Sequence, residues 1–433
     1  MKRLIYIGLI VSSLLIAACG EDRTHEFVEL TQHNTWIYEQ MKDKYLWGDL
    51  IPEQDYKAFF YEGTKFFSSV TKAANKNDSW SYCLSDTAQT DPHERGYFNH
   101  HDTYGMDFTL MSDPTRMTSR SFVRVTYVAP GSPADQCGLH RGDFISMVDS
   151  TRMTSGNVAK YLKNGSSHSL IVHHIDTLTN DTVVWIDTLF AKLPASCYVE
   201  EEAFPVRNFI NFAGSWIGYL MCTRLTAGPD EQQTSSDKYL KQLDDHMAYF
   251  LQEEPTELVL DLRLCNYGTI EMAQRIASYI VPANRRDGIF AQTYWNDRYA
   301  GNNQTFRYDA TLGSLELSRV YIIVSNYTQG AAEWLIQGLK NTLGEKNVIL
   351  IGTGSTKGQN VQTQHIGSSF GYRLYPAVAY VADGTGNYNY TTFQPNYSIS
   401  ESNSKTLMYM KEFGEPEELL FLTTLYAMFL VEE

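Results

Sequence analysis

No two of the six cysteines stand at the close spacing of a zinc site or a redox dithiol, which excludes both. Beyond Cys19 the remaining five, Cys83, Cys137, Cys197, Cys222 and Cys265, are an odd number and scattered. Cys137 and Cys222 lie among apolar neighbours and read as small core residues, so no obligatory disulfide is expected. Positive charge is also scarce. Lys and Arg number 35 against 50 Asp and Glu, a formal net charge of −15, and no basic cluster stands out; nucleic acid is therefore excluded as a partner. Internal repeats and low-complexity tracts are absent. The eleven histidines include the neighbours His100-His101 and His173-His174, yet neither pair has a third ligand at metal spacing. In an extended "SLIVHHIDTL" adjacent side chains face opposite ways. No metal or cofactor is expected.

The chain does have enough apolar material for packed cores: 43% of 433 residues are hydrophobic and 13% aromatic, which suits about two to four domains. At the N-terminus Lys2 and Arg3 precede an apolar run from Leu4 to Leu15, too short for a stable span and shaped as an export signal. It ends Ile16-Ala17-Ala18-Cys19, which resembles the lipobox of bacterial lipoproteins. Cleavage before Cys19 would leave its thiol to carry lipid, anchoring residue 19 onward in the cell envelope, most simply at the outer membrane.

Residues 19–92 read as a helical segment, with Trp36, Ile37, Met41 and Tyr45 at helical spacing. From 93 to 195 short β-type runs take over, including a hairpin that turns at Thr179-Asn180-Asp181. "GSPADQCGLHRGDFISMVD" resembles a PDZ domain. That resemblance implies a carboxylate-binding loop at Tyr104, Gly105, Met106, Asp107 and Phe108, beside which a peptide C-terminus would add as an edge strand. From about 200 to 433 the texture alternates. "SWIGYLMCTRL", "ELVLDLR", "RVYIIVS" and "NVILIG" read as strands; "SSDKYLKQLDDHMAYFLQEE", capped at Ser235 or Ser236, "TIEMAQRIASYI" and "AAEWLIQGLKN" read as helices. Continuous apolar strands between helices imply a largely parallel, covered sheet. The expected fold class is thus α/β and multidomain: an N-terminal helical segment, a β-rich PDZ-like domain and an α/β core.

Signal, helical segment, PDZ-like module, "ELVLDLR", a strand-to-helix corner ending Ala-Glu and "VILIG" with its Gly-rich loop resemble, in that order, the C-terminal processing (tail-specific) serine peptidases. The family uses a serine nucleophile and a lysine base. Such chemistry needs a buried lysine whose charge is disfavoured and backbone amides facing the oxyanion. Registering the family's corner on Glu333 puts the nucleophile position at Gly330, and its Gly-Lys-Asn-Val run falls on Gly358-Gln359-Asn360-Val361, so the base position reads Gln359. The Tyr-Asn-Gly-Gly-Gly loop reads Leu264-Cys265-Asn266-Tyr267-Gly268. The oxyanion-region backbone would be that of Gly268 and Ala331.

Three readings follow. In the first, the protein binds extended peptides or protein C-termini and does not cut them. In the second, it is an active serine endopeptidase with a relocated pair, Ser355 and Lys357. In the third, it is a structural envelope lipoprotein with both clefts vestigial, marked by a cleft filled by Tyr267 and Gln359 and by covered amides in the loop Tyr104 to Phe108.

Overall fold

The computed structural model describes residues 24–87, 101–115, 118–179, 182–229, 236–367, 370–403 and 405–430. The signal-like segment, Cys19, His100 and Ser235 lie outside them. The described chain forms two compact units.

The described part of the first unit is drawn from 24–87, Asn296–Tyr299, 363–367 and 370–378. Its long helix, Thr24–Lys44, buries Ile37 and Met41, and Tyr45 is buried just beyond its end, as the helical spacing requires. The unit is not wholly helical. Tyr82–Ser85 is a strand paired antiparallel with Tyr372–Tyr375, almost three hundred residues later.

The second unit holds the PDZ-like sheet and the α/β core. In the PDZ-like part five strands run in the order Met106–Ser112, Ser121–Val128, Phe144–Val148, His168–Thr179 and Thr182–Leu193, with Thr151–Arg152 paired to the third. Met106–Ser112 and Thr182–Leu193 are the two edge strands among the described residues. Met106 joins Val123, Val125, Ile145, Leu170, Val172 and Leu162 in one apolar cluster.

In the core, Arg207–Phe212 pairs antiparallel with Ser215–Met221, after which Glu257–Asp261, Val320–Val324, Val348–Gly352 and Tyr397–Ser398 continue the sheet in parallel. Strand alternation sorts the side chains. Leu258, Leu260, Ile322, Val324 and Leu350 pack with residues of the helices Lys238–Glu253, Ile270–Ile280 and Ala331–Leu343. Val259, Tyr321, Ile323, Ile349 and Ile351 face the other way, where Leu420, Phe421, Leu425 and Met428 of Leu419–Leu430 cover them. Both faces are therefore buried, which is why these strands read as unbroken apolar runs. The first helix begins after Asp237 and not at Ser235 or Ser236. A second sheet, Thr305–Arg307, Ile289–Trp295, Ala377–Asp383 and Val361–Thr363, flanks the helices.

The cysteines fit the core reading in part: Cys222 and Cys265 are buried, Cys83 and Cys137 are half-buried, Cys197 is exposed, and all five described cysteines are free. His173 turns to Ser146 and Thr188 while His174 turns to Asp143, so the two rings diverge.

Candidate active site

The corner begins where Val320–Val324 ends. Ser325 donates its N–H to Thr328 Oγ1 (2.9 Å), and Thr328 returns its own N–H to the Ser325 carbonyl (3.1 Å). Both hydroxyls then reach across to the neighbouring strand end: Ser325 Oγ donates to the Arg263 carbonyl (2.6 Å) and Thr328 Oγ1 to the Leu262 carbonyl (2.9 Å). Ser325 is thus a buried turn-maker with its proton committed.

Gly330 is the N-cap of Ala331–Leu343 and sits at φ 60°, ψ −119°. That conformation penalises any side chain. A Cβ placed on it would meet Gln359 Oε1 at 3.3 Å and Gln359 Cδ at 3.8 Å. The positions named from the sequence as nucleophile and base are therefore neighbours in space, occupied by a hydrogen atom and a carboxamide. Gln359 is buried and donates its amide to the Val361 carbonyl (2.9 Å).

Glu333 ties corner and loop together. Its fully buried carboxylate accepts N–H groups from Gly330 (3.2 Å), Gly358 (2.5 Å) and Gln359 (2.7 Å). Burial raises its carboxyl above the usual range, against the hydrogen bonds from Thr356, Gly358, Gln359 and Gly330 that pull it down. Trp334 adds a strut, donating its indole N–H to the Gln359 carbonyl (3.0 Å).

The two oxyanion-region residues also meet. A Cβ on Gly268 would lie 2.8 Å from that of Ala331 and 2.6 Å from that of Leu225, so position 268 has room only for glycine. The first N–H groups of any helix lack an intrahelical acceptor, which leaves the Ala331 end suited to negative charge. Tyr267 is 39% exposed, so the filling by Tyr267 that the third reading calls for is not what the structure has, whereas Gln359 is buried. The relocated pair is not assembled either. Lys357 is exposed, Ser355 is half-buried, and no hydrogen bond joins them among the described residues; Lys357 instead donates its backbone N–H to the Thr328 carbonyl (3.1 Å).

Behind the corner lies a charge cluster that the sequence did not disclose. Arg263 donates to both oxygens of Glu418 (2.7 and 2.9 Å) and to Asp261, which also accepts the Tyr219 hydroxyl (2.6 Å). Arg141, from the PDZ-like part, joins Glu401 and Glu418, and Arg124 donates to the Glu401 carbonyl (2.6 Å). Burial alone would raise the Glu418 carboxyl; Arg263 and Arg141 outweigh it and hold it below the usual carboxylate range.

In the PDZ-like part Tyr104 is buried and its N–H goes to the Lys163 carbonyl (3.4 Å), while the Gly105 N–H goes to Thr103 Oγ1 (3.2 Å). Gly105 is at φ +75°, and a Cβ there would lie 2.2 Å from that of Ser132. Phe108 and Leu110 are half-buried on the edge strand, against the apolar cluster that includes Val158 and Leu162 of the helix Val158–Leu162.

Residues 124–172 match the PDZ domain family. Among solved structures the chain is similar to an S41 protease from Bacteroides fragilis, at 27% identity and a TM-score of 0.79, with 92% of this chain and 98% of that one covered. It is also similar to the photosystem II D1 C-terminal processing protease, at 15% identity and a TM-score of 0.47, covering 90% and 99%. No curated protein gives a significant match. Set on this corner and sheet, the PDZ match and the near full-length likeness to the Bacteroides fragilis protease support a C-terminal processing peptidase family with a PDZ domain.

Proposed function

We propose that this protein is a lipid-anchored member of the bacterial cell envelope that captures extended peptides or protein C-termini and does not cleave them. The observation that carries this reading is the pairing of Gly330 with Gln359: a side chain on residue 330 would point at a carboxamide 3.3 Å away, where the chemistry needs a hydroxyl and an amine. A glycine cannot attack, and an amide is no base near neutral pH. Loss of either group in a comparable serine hydrolase costs on the order of 10⁶ in kcat. Two features support capture over a purely structural role. The edge strand Met106–Ser112 has a neighbouring strand on one side only among the described residues, and the Ala331 helix end lies beside Gly268, the arrangement that an oxyanion site calls for. The signal-like run ending at Cys19 supports the anchor.

The test is binding and cleavage measured on one sample. Fluorescent peptides with free C-termini should bind and remain whole over hours. Inhibitor-sensitive cleavage by the wild type would defeat the reading. Gly330→Ser combined with Gln359→Lys restores both reacting groups, and proteolysis gained by that double variant would establish what the two positions have lost. Palmitate labelling that disappears in Cys19→Ala checks the anchor.

A further inference from the structure

A cavity of about 380 Å³ opens between the start of the helix Ile270–Ile280 and the flanking sheet. Glu271, Trp295, Phe306, Asn302, Gln304 and Gln362 line it. It lies close to the corner by chain connection alone. Ile270 follows Gly268 by two positions and Gln362 follows Gln359 by three, no more than about 10 Å of chain in either case.

Its chemistry is one-sided. The Glu271 carboxylate and the three side-chain amides of Asn302, Gln304 and Gln362 make no hydrogen bond among the described residues. Glu271, Asn302 and Gln304 are exposed and Gln362 is half-buried, so all four are hydrated and open to a ligand that enters the hollow from solvent. The lining holds one carboxylate and no lysine or arginine. Arg307, next in chain to Phe306, is directed to the Asp287 carbonyl instead (3.4 Å). An acidic ligand would meet repulsion here, and a purely apolar one would strand four polar groups. Trp295 and Phe306 add aromatic faces that attract a cation. The chain as a whole, at −15, favours approach of positive charge.

From this we infer that the cavity is a specificity pocket for an arginine side chain of the captured peptide. A planar guanidinium has five donors, enough to serve the Glu271 carboxylate and amide oxygens at once while lying on an indole face; a lysine ammonium offers three donors and no plane. The occupant belongs to a peptide lying along the corner, and in that respect the assignment rests on the capture reading. It goes further by naming the side chain that selects the ligand.

Three small probes separate the possibilities: N-acetyl-arginine methylamide, its neutral isostere N-acetyl-citrulline methylamide, and a methyl glycoside, each titrated by NMR against the wild type and Glu271→Gln. The arginine probe should bind at least about ten-fold more tightly than citrulline, and Glu271→Gln, a change on an exposed helix position that leaves the fold intact, should remove that preference. Equal binding of arginine and citrulline, tighter binding of the glycoside, or full arginine affinity in Glu271→Gln would each overturn the assignment. Extended peptides with and without arginine are run in parallel. Peptides that bind with no arginine preference overturn the pocket and leave capture standing, whereas an arginine probe that binds while every peptide fails overturns capture and leaves the pocket.

Discussion

The Glu333 carboxylate accepts the backbone N–H of Gln359 at 2.7 Å, and through it the first turn of one helix fixes the loop that follows the next strand. The two residues are 26 positions apart, yet the same carboxylate also takes the N–H groups of Gly330 and Gly358. A clamp of this kind sets where residues 330 and 359 face each other whether or not they carry reactive groups. That explains how the architecture of a catalytic corner can persist around a glycine and an amide.

Glu333→Gln should break the clamp. The glutamine has the same shape but turns an NH₂ toward backbone donors, so at least one N–H loses its acceptor in a buried place. Hydrogen bonds to charged groups are worth about 1.5–3 kcal/mol, and a loss of about that size is expected in urea unfolding. A shift below about 0.5 kcal/mol would show that the loop is held by Trp334 and Thr356 without the carboxylate.

Gly330 should resist substitution even though it carries no reacting side chain. Its backbone is at φ 60°, ψ −119°, where an L-residue costs about 1–3 kcal/mol, and a Cβ would press on Gln359 Oε1 at 3.3 Å. Gly330→Ala is therefore expected to lower the melting temperature measurably. The serine of the reconstructed pair will carry the same strain, so proteolysis by Gly330→Ser with Gln359→Lys should be sought well below the variant's melting point. Unchanged stability in Gly330→Ala would mean the corner relaxes to a different backbone conformation.

Much of this site was legible because its pieces are local. The parallel strands are apolar runs bounded by turn residues, and the corner, the Gly-Gln-Asn-Val run and the Leu-Asp-Leu-Arg strand each keep neighbours that fix the numbering. What escaped has partners far away in the chain. Glu418 meets Arg263 across 155 positions and Arg141 lies further still, and an isolated acid or base in a sequence gives no sign of which opposite charge it will find. The arginine pocket draws Glu271, Trp295, Gln304 and Gln362 from four segments, each with an ordinary residue type for an exposed surface. The strand Tyr82–Ser85 was missed for the same reason, since its partner is Tyr372–Tyr375. Asp237 over Ser236 as helix start is a local contest between two good capping residues, which composition cannot settle.

The PDZ-like loop leads to a prediction of gained affinity. Thr103 Oγ1 occupies the Gly105 N–H at 3.2 Å, which a peptide carboxylate would otherwise accept. Thr103→Val keeps the shape and removes the acceptor, leaving that N–H to the ligand. Affinity for a peptide with a free C-terminus should rise about three- to ten-fold, as one recovered hydrogen bond allows. The same peptide amidated at its C-terminus should gain nothing. Equal gains for both peptides would place the carboxylate elsewhere.

The charge cluster behind the corner makes a prediction with a sign. Glu418 is held below its ordinary value of 4.5 by Arg263 and Arg141, in spite of burial that acts to raise it. A carboxyl whose folded pKa is depressed contributes stability that is present above its unfolded value and is lost as pH falls through the folded value. Glu418→Gln leaves the Arg263 guanidinium buried against one acceptor fewer, and breaking a buried pair in this way costs about 3–5 kcal/mol near pH 7. In the variant that contribution no longer titrates. The stability gap between wild type and Glu418→Gln, from urea unfolding at a series of pH values, should therefore be widest near neutrality and close progressively below about pH 4.5 as the wild-type carboxyl takes up its proton. A gap that stays constant across that range would assign the loss to the backbone N–H groups of Leu420 and Phe421, which Glu418 also accepts at 3.1 and 3.0 Å, and not to its charge.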